Sequence, residues 1–419
     1  MKRSLFKLAV LALFCFSLIG SPLIFGKETI SVIVSAGGSG RTFQAAANHF
    51  SEATGIDVKM VQYSYAEVRE KQLLEMLSNT GSLDVISVDG QIWVAELNNY
   101  LMPLKLKEAD LERFVPSMVD FFRYGKQKEL YALPVRIGGW VLMYRKDLFQ
   151  KANLQPPKTW DEFLDTAKKL TKDGVYGFAP ALQQGNFLVA QWTPFLYSFN
   201  GHILNKAMTK AAFNDKAGQK ATQFLVDLYR KHGVVPPGAI SYEHDGVIAA
   251  MQQGLAAMAI TYSPNFLAMN DPGKSKVAGK LAISGTIPYD SSTHLKKGIT
   301  ELSGWGFGVA KMSRHKEAAL KFIQFITSPE EQLRLAVENT NAPTVKSVYS
   351  NPKFLNVFPA GPELLQALSN SQNRPGVPMW TNIEDELAAE LSAAVNGVKT
   401  VKEALADAEK NVNQFLNKK

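Results

Sequence analysis

Cysteine is almost missing from this chain. The only one among 419 residues is Cys15, inside an apolar leader. Beyond the leader no disulfide, thiol nucleophile or thiolate metal site is possible. The six histidines (His49, His202, His232, His244, His294 and His315) are dispersed, with no metal-ligand spacing, so no metal is expected. There is no G-x-S-x-G elbow, no H-E-x-x-H pair, no Walker loop and no dinucleotide fingerprint. Hence no catalytic residue and no cofactor are expected. Basic clusters are short (Lys126/Lys128, Lys168/Lys169, Lys296/Lys297). The formal charge is +8, of which the leader holds three, leaving +5 for the rest; this is no nucleic-acid footprint. The one long apolar run is residues 5–19, behind Lys2, Arg3 and Lys7 and ahead of Gly20, Ser21 and Gly26. Residues 1–26 read as a secretory signal peptide cut near Gly26. The run falls short of the ~20 residues an uncleaved membrane anchor needs. Phe14 is too bulky to precede a lipidated Cys15. A soluble exported protein is expected.

Without disulfides such a protein depends on its core, and a chain of this size buries about three quarters of its unfolded surface. Length favours two or more domains. Residues 29–99 alternate strand and helix three times, the mark of a mostly parallel sheet with helices on both faces. Gly55 stands where a helix C′ glycine belongs. Further on, residues 213–232 and 244–253 read as helices and 256–262 as a buried strand. Residues 281–288 read as strand and crossover, and 306–310 as a strand. Helices follow over 317–327, from Ser328-Pro-Glu-Glu331, over 384–396, and from a capping box at Thr400–Glu403.

Residues 128–170 are the most specific stretch. Tyr131-Ala-Leu-Pro-Val is a short run stopped by Pro134, which has no N–H for a central ladder. Residues 141–144 are a second short strand, and 147–152 a short helix. Pro156-Pro157 forces an extended turn. Thr159-Trp-Asp-Glu162 is a capping box, followed by Phe163, Leu164, Ala167 and Leu170 at helical spacing. Tyr131-Ala-Leu-Pro, Tyr144-Arg-Lys-Asp-Leu-Phe and Pro157-Lys-Thr-Trp-Asp-Glu-Phe, in this order, resemble the extracellular solute-binding proteins of bacterial ABC importers, in the branch that mostly carries sugars.

The resemblance implies an α/β, two-lobe, periplasmic-binding-protein-like fold of type II. Each lobe would hold a mixed, mostly parallel sheet flanked by helices, with the ligand in the cleft between. It places crossovers near 135–137, 284–286 and 341–343. The N-terminal lobe would then comprise 27–136 plus 286–341, and the C-terminal lobe 137–285 plus 342–419. It implies a periplasmic monomer that closes on a carbohydrate and docks on membrane permease subunits.

Sugars present flat C–H faces to aromatic rings and hydroxyls to planar polar groups. Loops after strands offer several candidates. Trp305, after Ser303-Gly304, is the leading stacking ring, in a stretch that in the family lines the cleft. Tyr262 ends the strand 256–262, where family members often carry a cleft aromatic. Asp89 ends the strand 83–88; its carboxylate can accept two hydroxyls or cap the next helix. Gly38 and Ser39 open a helix and can offer N–H groups to a ligand oxygen, or form a plain turn. Tyr63 can stack on a sugar or staple the following helix. Arg136 can bind hydroxyls or a carboxylate, or pair at the hinge. Trp140 and Trp192 suit a platform or the core. Arg374 reads as structural.

An exported glycoside hydrolase is the rival class. It needs two placed carboxylates, and Asp89, Glu301 and Asp245 are available, but nothing in their context marks an acid and a base. A non-sugar or acidic-sugar solute is a further alternative, for which Arg41 and Arg136 are available.

Overall fold

The computed structural model describes residues 27–36, 38–339 and 341–417. The expected signal peptide lies outside them. Among the described residues no helix is long and apolar enough to cross a membrane.

The chain opens with the expected alternation: β1 (Thr29–Ser35), α1 (Gly38–Thr54), β2 (Asp57–Tyr63), α2 (Tyr65–Ser78), β3 (Val85–Asp89) and α3 (Gly90–Leu97). Its punctuation explains its breaks. Gly55 takes a left-handed φ of 76° after α1. Ser64 and Glu67 form a capping box on α2. Short helices α4 (Glu108–Leu111) and α5 (Pro116–Phe121) and the ribbon β4 (Arg123–Tyr124) with β5 (Glu129–Leu130) follow.

Then comes β6 (Leu133–Arg145), one strand of 13 residues where two short ones were expected. Pro134 does not stop it. The partner strand β10 (Thr300–Val309) pairs Trp305 with Arg136 but Gly306 with Pro134, so Val135 is bulged out. A bulge is where a central strand tolerates proline. The carbonyls it frees are recaptured. Val135 O accepts from Asn341 Nδ2 at 3.0 Å and Gln332 Nε2 at 3.2 Å, and Pro134 O accepts from Thr344 Oγ1 at 2.9 Å. Gln332 Oε1 accepts the Thr344 N–H at 2.8 Å. One fully buried amide thus fastens two of the expected crossovers, at 135–137 and 341–343, to each other.

After β6 come α6 (Lys146–Lys151), α7 (Trp160–Leu170), β7 (Tyr176–Phe178), α8 (Asn186–Ser198), α9 (Lys216–Arg230), α10 (His244–Gln252), β8 (Ala256–Tyr262), α11 (Asn265–Met269) and β9 (Leu281–Ile283). The Thr159–Glu162 box caps α7 as read from sequence. Beyond β10 lie α12 (Lys316–Ile326), α13 (Pro329–Glu338), α14 (Pro352–Val357), α15 (Gly361–Leu368), β11 (Ser371–Gln372), α16 (Trp380–Asn396) and α17 (Val401–Asn417).

The strand order is β2-β1-β3-β10-β6-β8-β7, with β11 on β10 and β9 on β6. β1, β2 and β3 are parallel, while β10 runs antiparallel to both β3 and β6, so the sheet is mixed and continuous from one lobe to the other. Two apolar cores flank it. Val32, Phe43, Phe50, Phe307 and Phe322 belong to the first. Trp160, Phe163, Phe195, Trp380 and Leu387 belong to the second.

Residues 284–299 run from β9 along the second core. The Ser284 N–H binds Leu142 O, Ile287 is buried in the second core, and Lys220 Nζ reaches Asp290 at 2.7 Å. An apolar Ile287 keeps the chain on the second core until β10 carries it back.

Candidate functional site

Strand register assembles the site. In β10 Trp305 stands opposite Asp89 of β3 on one side and Arg136 of β6 on the other. Residues directly opposite one another project to the same face. A carboxylate, an indole and a guanidinium therefore form one row across three strands. Period-two alternation puts Ser303 and Glu301 on that face too. Ser303 faces Gly138 of β6. A Cβ at Gly138 would run into the Tyr262 ring, so the glycine lets that ring lie flat on the strand. Ser263 fixes the approach: its N–H binds Gly139 O at 2.8 Å and its hydroxyl accepts the Gly139 N–H at 3.3 Å.

The groups are electrostatically joined. Burial raises the Tyr262 phenol above its ordinary value; Arg136 and a hydrogen bond with Ser303 oppose this, and Asp89 and Glu301 add to it. Asp89 occupies the N-cap position of α3 but makes no capping hydrogen bond, so the capping reading fails. Trp305 is part-exposed and meets Trp93 edge to face, centroids 5.4 Å apart at 84°.

Below the row, Glu301 is fully buried. Arg374 Nε lies 2.9 Å from its Oε1, and Arg374 Nη1 donates to Glu384 Oε1 at 2.6 Å. Glu384 also accepts from Asn186 Nδ2 at 2.7 Å. The guanidinium lies over the Trp380 ring. At the rim, Ile92 of the first lobe and Phe187 and Tyr242 of the second pack against both cores.

Trp305, Asp89, Arg136 and Tyr262 are thus brought together. The other six candidates are not part of the row. Trp192 is fully buried in the second core, its Nε1 donating to Thr222 Oγ1 at 2.8 Å. Trp140 is buried in the same core. Gly304 is buried, and a Cβ there would meet Arg136 O and Met118, so it serves strand packing. Tyr63 lines a groove of the first lobe with Lys59, Val61 and Lys71. Gly38 and Ser39 open α1. Trp93, Ser303, Glu301 and Glu384 were not picked out as ligand-site residues, and Arg374 was read only as structural; the short spacing of Glu301, Ser303 and Trp305 on one strand was the available signal. Of the hydrolase carboxylates, Asp245 is fully exposed and meets His244 at 3.4 Å. Among the described residues no group of His, Cys, Asp or Glu is placed to hold a metal.

Residues 35–333 match the family model of the bacterial extracellular solute-binding proteins. A curated relative from Sinorhizobium fredii, named a probable amino-acid ABC transporter periplasmic-binding protein, is 26% identical over 95% of this chain and 91% of its own. The maltose-bound MalE3 of T. maritima superposes with a TM-score of 0.79 at 27% identity, over 93% of this chain and all of that one. An ABC transporter solute-binding protein of Agrobacterium radiobacter K84 in complex with ribitol gives 0.78 at 27% identity, over 93% and 98%.

Proposed function

We propose that this chain, which belongs to the bacterial extracellular solute-binding proteins, captures a neutral sugar or sugar alcohol beside Trp305 and delivers it to the membrane permease of an ABC importer. The family is one of receptors, so the hydrolase reading is set aside. The observation that carries the ligand class is the Asp89–Trp305–Arg136 row with Tyr262 at its edge. An indole covers the C–H face of a pyranose or a polyol chain, and the flanking carboxylate and guanidinium each bind two hydroxyls. The maltose and ribitol complexes of the structural relatives support the same chemistry.

Binding is a two-state closure. A solute that touches both lobes only in the closed form favours that form by its differential affinity. We place the first lobe at 27–136 plus the second half of β10 through 341, and the second lobe in the remainder. The protein acts as an exported monomer.

One feature favours a second reading. Opposite charges on either side of Trp305 would suit a zwitterion such as an amino acid. Against it, the structural relatives named above hold maltose and ribitol, both uncharged. A thermal-shift screen across monosaccharides, maltose, ribitol, mannitol and the common amino acids separates the two. A polyol or saccharide that raises the melting temperature and contracts the protein in solution scattering supports the first reading. A response to amino acids alone overturns it.

A further inference from the structure

We propose that Glu301 is a positioning residue for ligand capture, acting through Arg374 and Tyr262, and that it takes up a proton as the solute drives water from the groove. The proposal rests on the Asp89–Trp305–Arg136 row being the capture site.

Three carboxylates and two guanidinium groups crowd this floor. Glu301 and Glu384 share Arg374, at 2.9 and 2.6 Å. Asp89 acts on Glu301 from β3, and Arg136 and Asp89 act on Tyr262. With all five ionised the set carries one negative charge more than its cations balance. Tyr197 on α8 also faces Glu301, its hydroxyl donating to Asn373 O at 2.9 Å. On β11, Gln372 stands opposite Glu301 and meets His202 Nδ1 at 3.5 Å. Of the other elements against β10, Glu363 of α15 acts on Tyr144, and Glu96 of α3 is paired with Arg69.

Burial pushes the Glu301 carboxyl up to about 7, Arg374 pulls it down, and Glu384 and Asp89 push it up again. An acid in this condition responds to its surroundings. A solute seated on Trp305 displaces water and so withdraws solvation from the one excess negative charge of the set, which favours the neutral carboxyl. The bound form therefore holds the proton more tightly than the free form. Linkage sets the sign: binding takes up a proton near pH 7, affinity is highest below that, and it falls as pH rises through the free-form value. Each unit by which the ligand raises that value is worth tenfold in affinity across the window. Protonated Glu301 keeps Arg374 directed at Glu384 and leaves Tyr262 beside a neutral partner.

The test is calorimetric titration with whichever of the common monosaccharides, maltose, ribitol or mannitol binds, between pH 6 and pH 8, in two buffers of different ionisation enthalpy. Wild type should lose about fivefold or more in affinity across that range and take up a fraction of a proton near pH 7. E301Q mimics the protonated acid. It should match wild type at pH 6, take up no proton and show a flat profile. E384Q removes one repelling carboxylate and should move the fall to lower pH; it decides the matter if E301Q does not fold. A flat wild-type profile with tight binding overturns the proposal and leaves the carbohydrate reading intact. An E301Q profile as steep as wild type, or an unmoved E384Q profile, also overturns it. No binding by any of these saccharides or polyols overturns both readings.

Discussion

Two buried polar centres lie along β6 and β10, and they solve the same problem differently. At the Pro134 bulge, Gln332 is neutral and nearly saturated: its Nε2 donates to Val135 O and Ile326 O, and its Oε1 accepts the Thr344 N–H. At the cleft floor, Glu301 is an acid lifted to about 7, and its ion-pair partner Arg374 is divided with Glu384. A satisfied amide has no reason to change state, so the centre at the bulge fixes a position. An acid with crowded neighbours has two states close in free energy, so the floor centre responds.

The comparison can be broken in four places. The largest effect is expected at Gln332. Replacing it with leucine strands the Thr344 N–H and loosens the Val135 carbonyl, and should cost about 3 kcal/mol or more in denaturant unfolding, at every pH. Glu301 behaves otherwise. Its folded value of about 7 lies above the ordinary 4.5, so the folded form binds the extra proton between them. The stability it contributes is complete below pH 4.5 and lost as pH rises through 7, about 3 kcal/mol at most. E301Q should therefore melt above wild type at pH 8 and show no advantage at pH 4. Next, Trp305→Ala should weaken solute binding by about tenfold to a hundredfold while moving the melting temperature of the free protein little. The smallest effect is Pro134→Ala. The bulge already accommodates the ring, so the change should stay within about 1 kcal/mol. A loss of several kcal/mol would mean that the proline, not the Gln332 amide, sets the bulge.

Residues that act on their near neighbours were readable in advance. Gly55, the Thr159–Glu162 box, Pro329 after Ser328 and Gly397 after residue 396 mark helix ends where the structure has them. α8 was not readable, because it is buried along most of its length and carries Pro194, so no polar stripe betrays its period. β6 read as two strands because the bulge that rescues Pro134 is set by pairing with β10, and its carbonyls are held by Gln332 and Thr344, all far along the chain. The site divides in the same way. Asp89, Tyr262 and Trp305 sit at strand positions that local pattern could find. Glu301 meets Arg374 only through the pairing of β10 with β11. Trp192 and Trp140 show the limit of counting aromatics, since a buried indole and a ligand platform look alike in sequence.

The 13 residues of β6 have one more consequence. Its first half is a neighbour of β10 and its second half of β8 and β9, so each lobe borrows a strand that the other continues. Neither half of this receptor is a module that could be excised or exchanged by itself. A backbone cut near Gly138 would leave two fragments with raw, unpaired edges, whose better option is to find each other again.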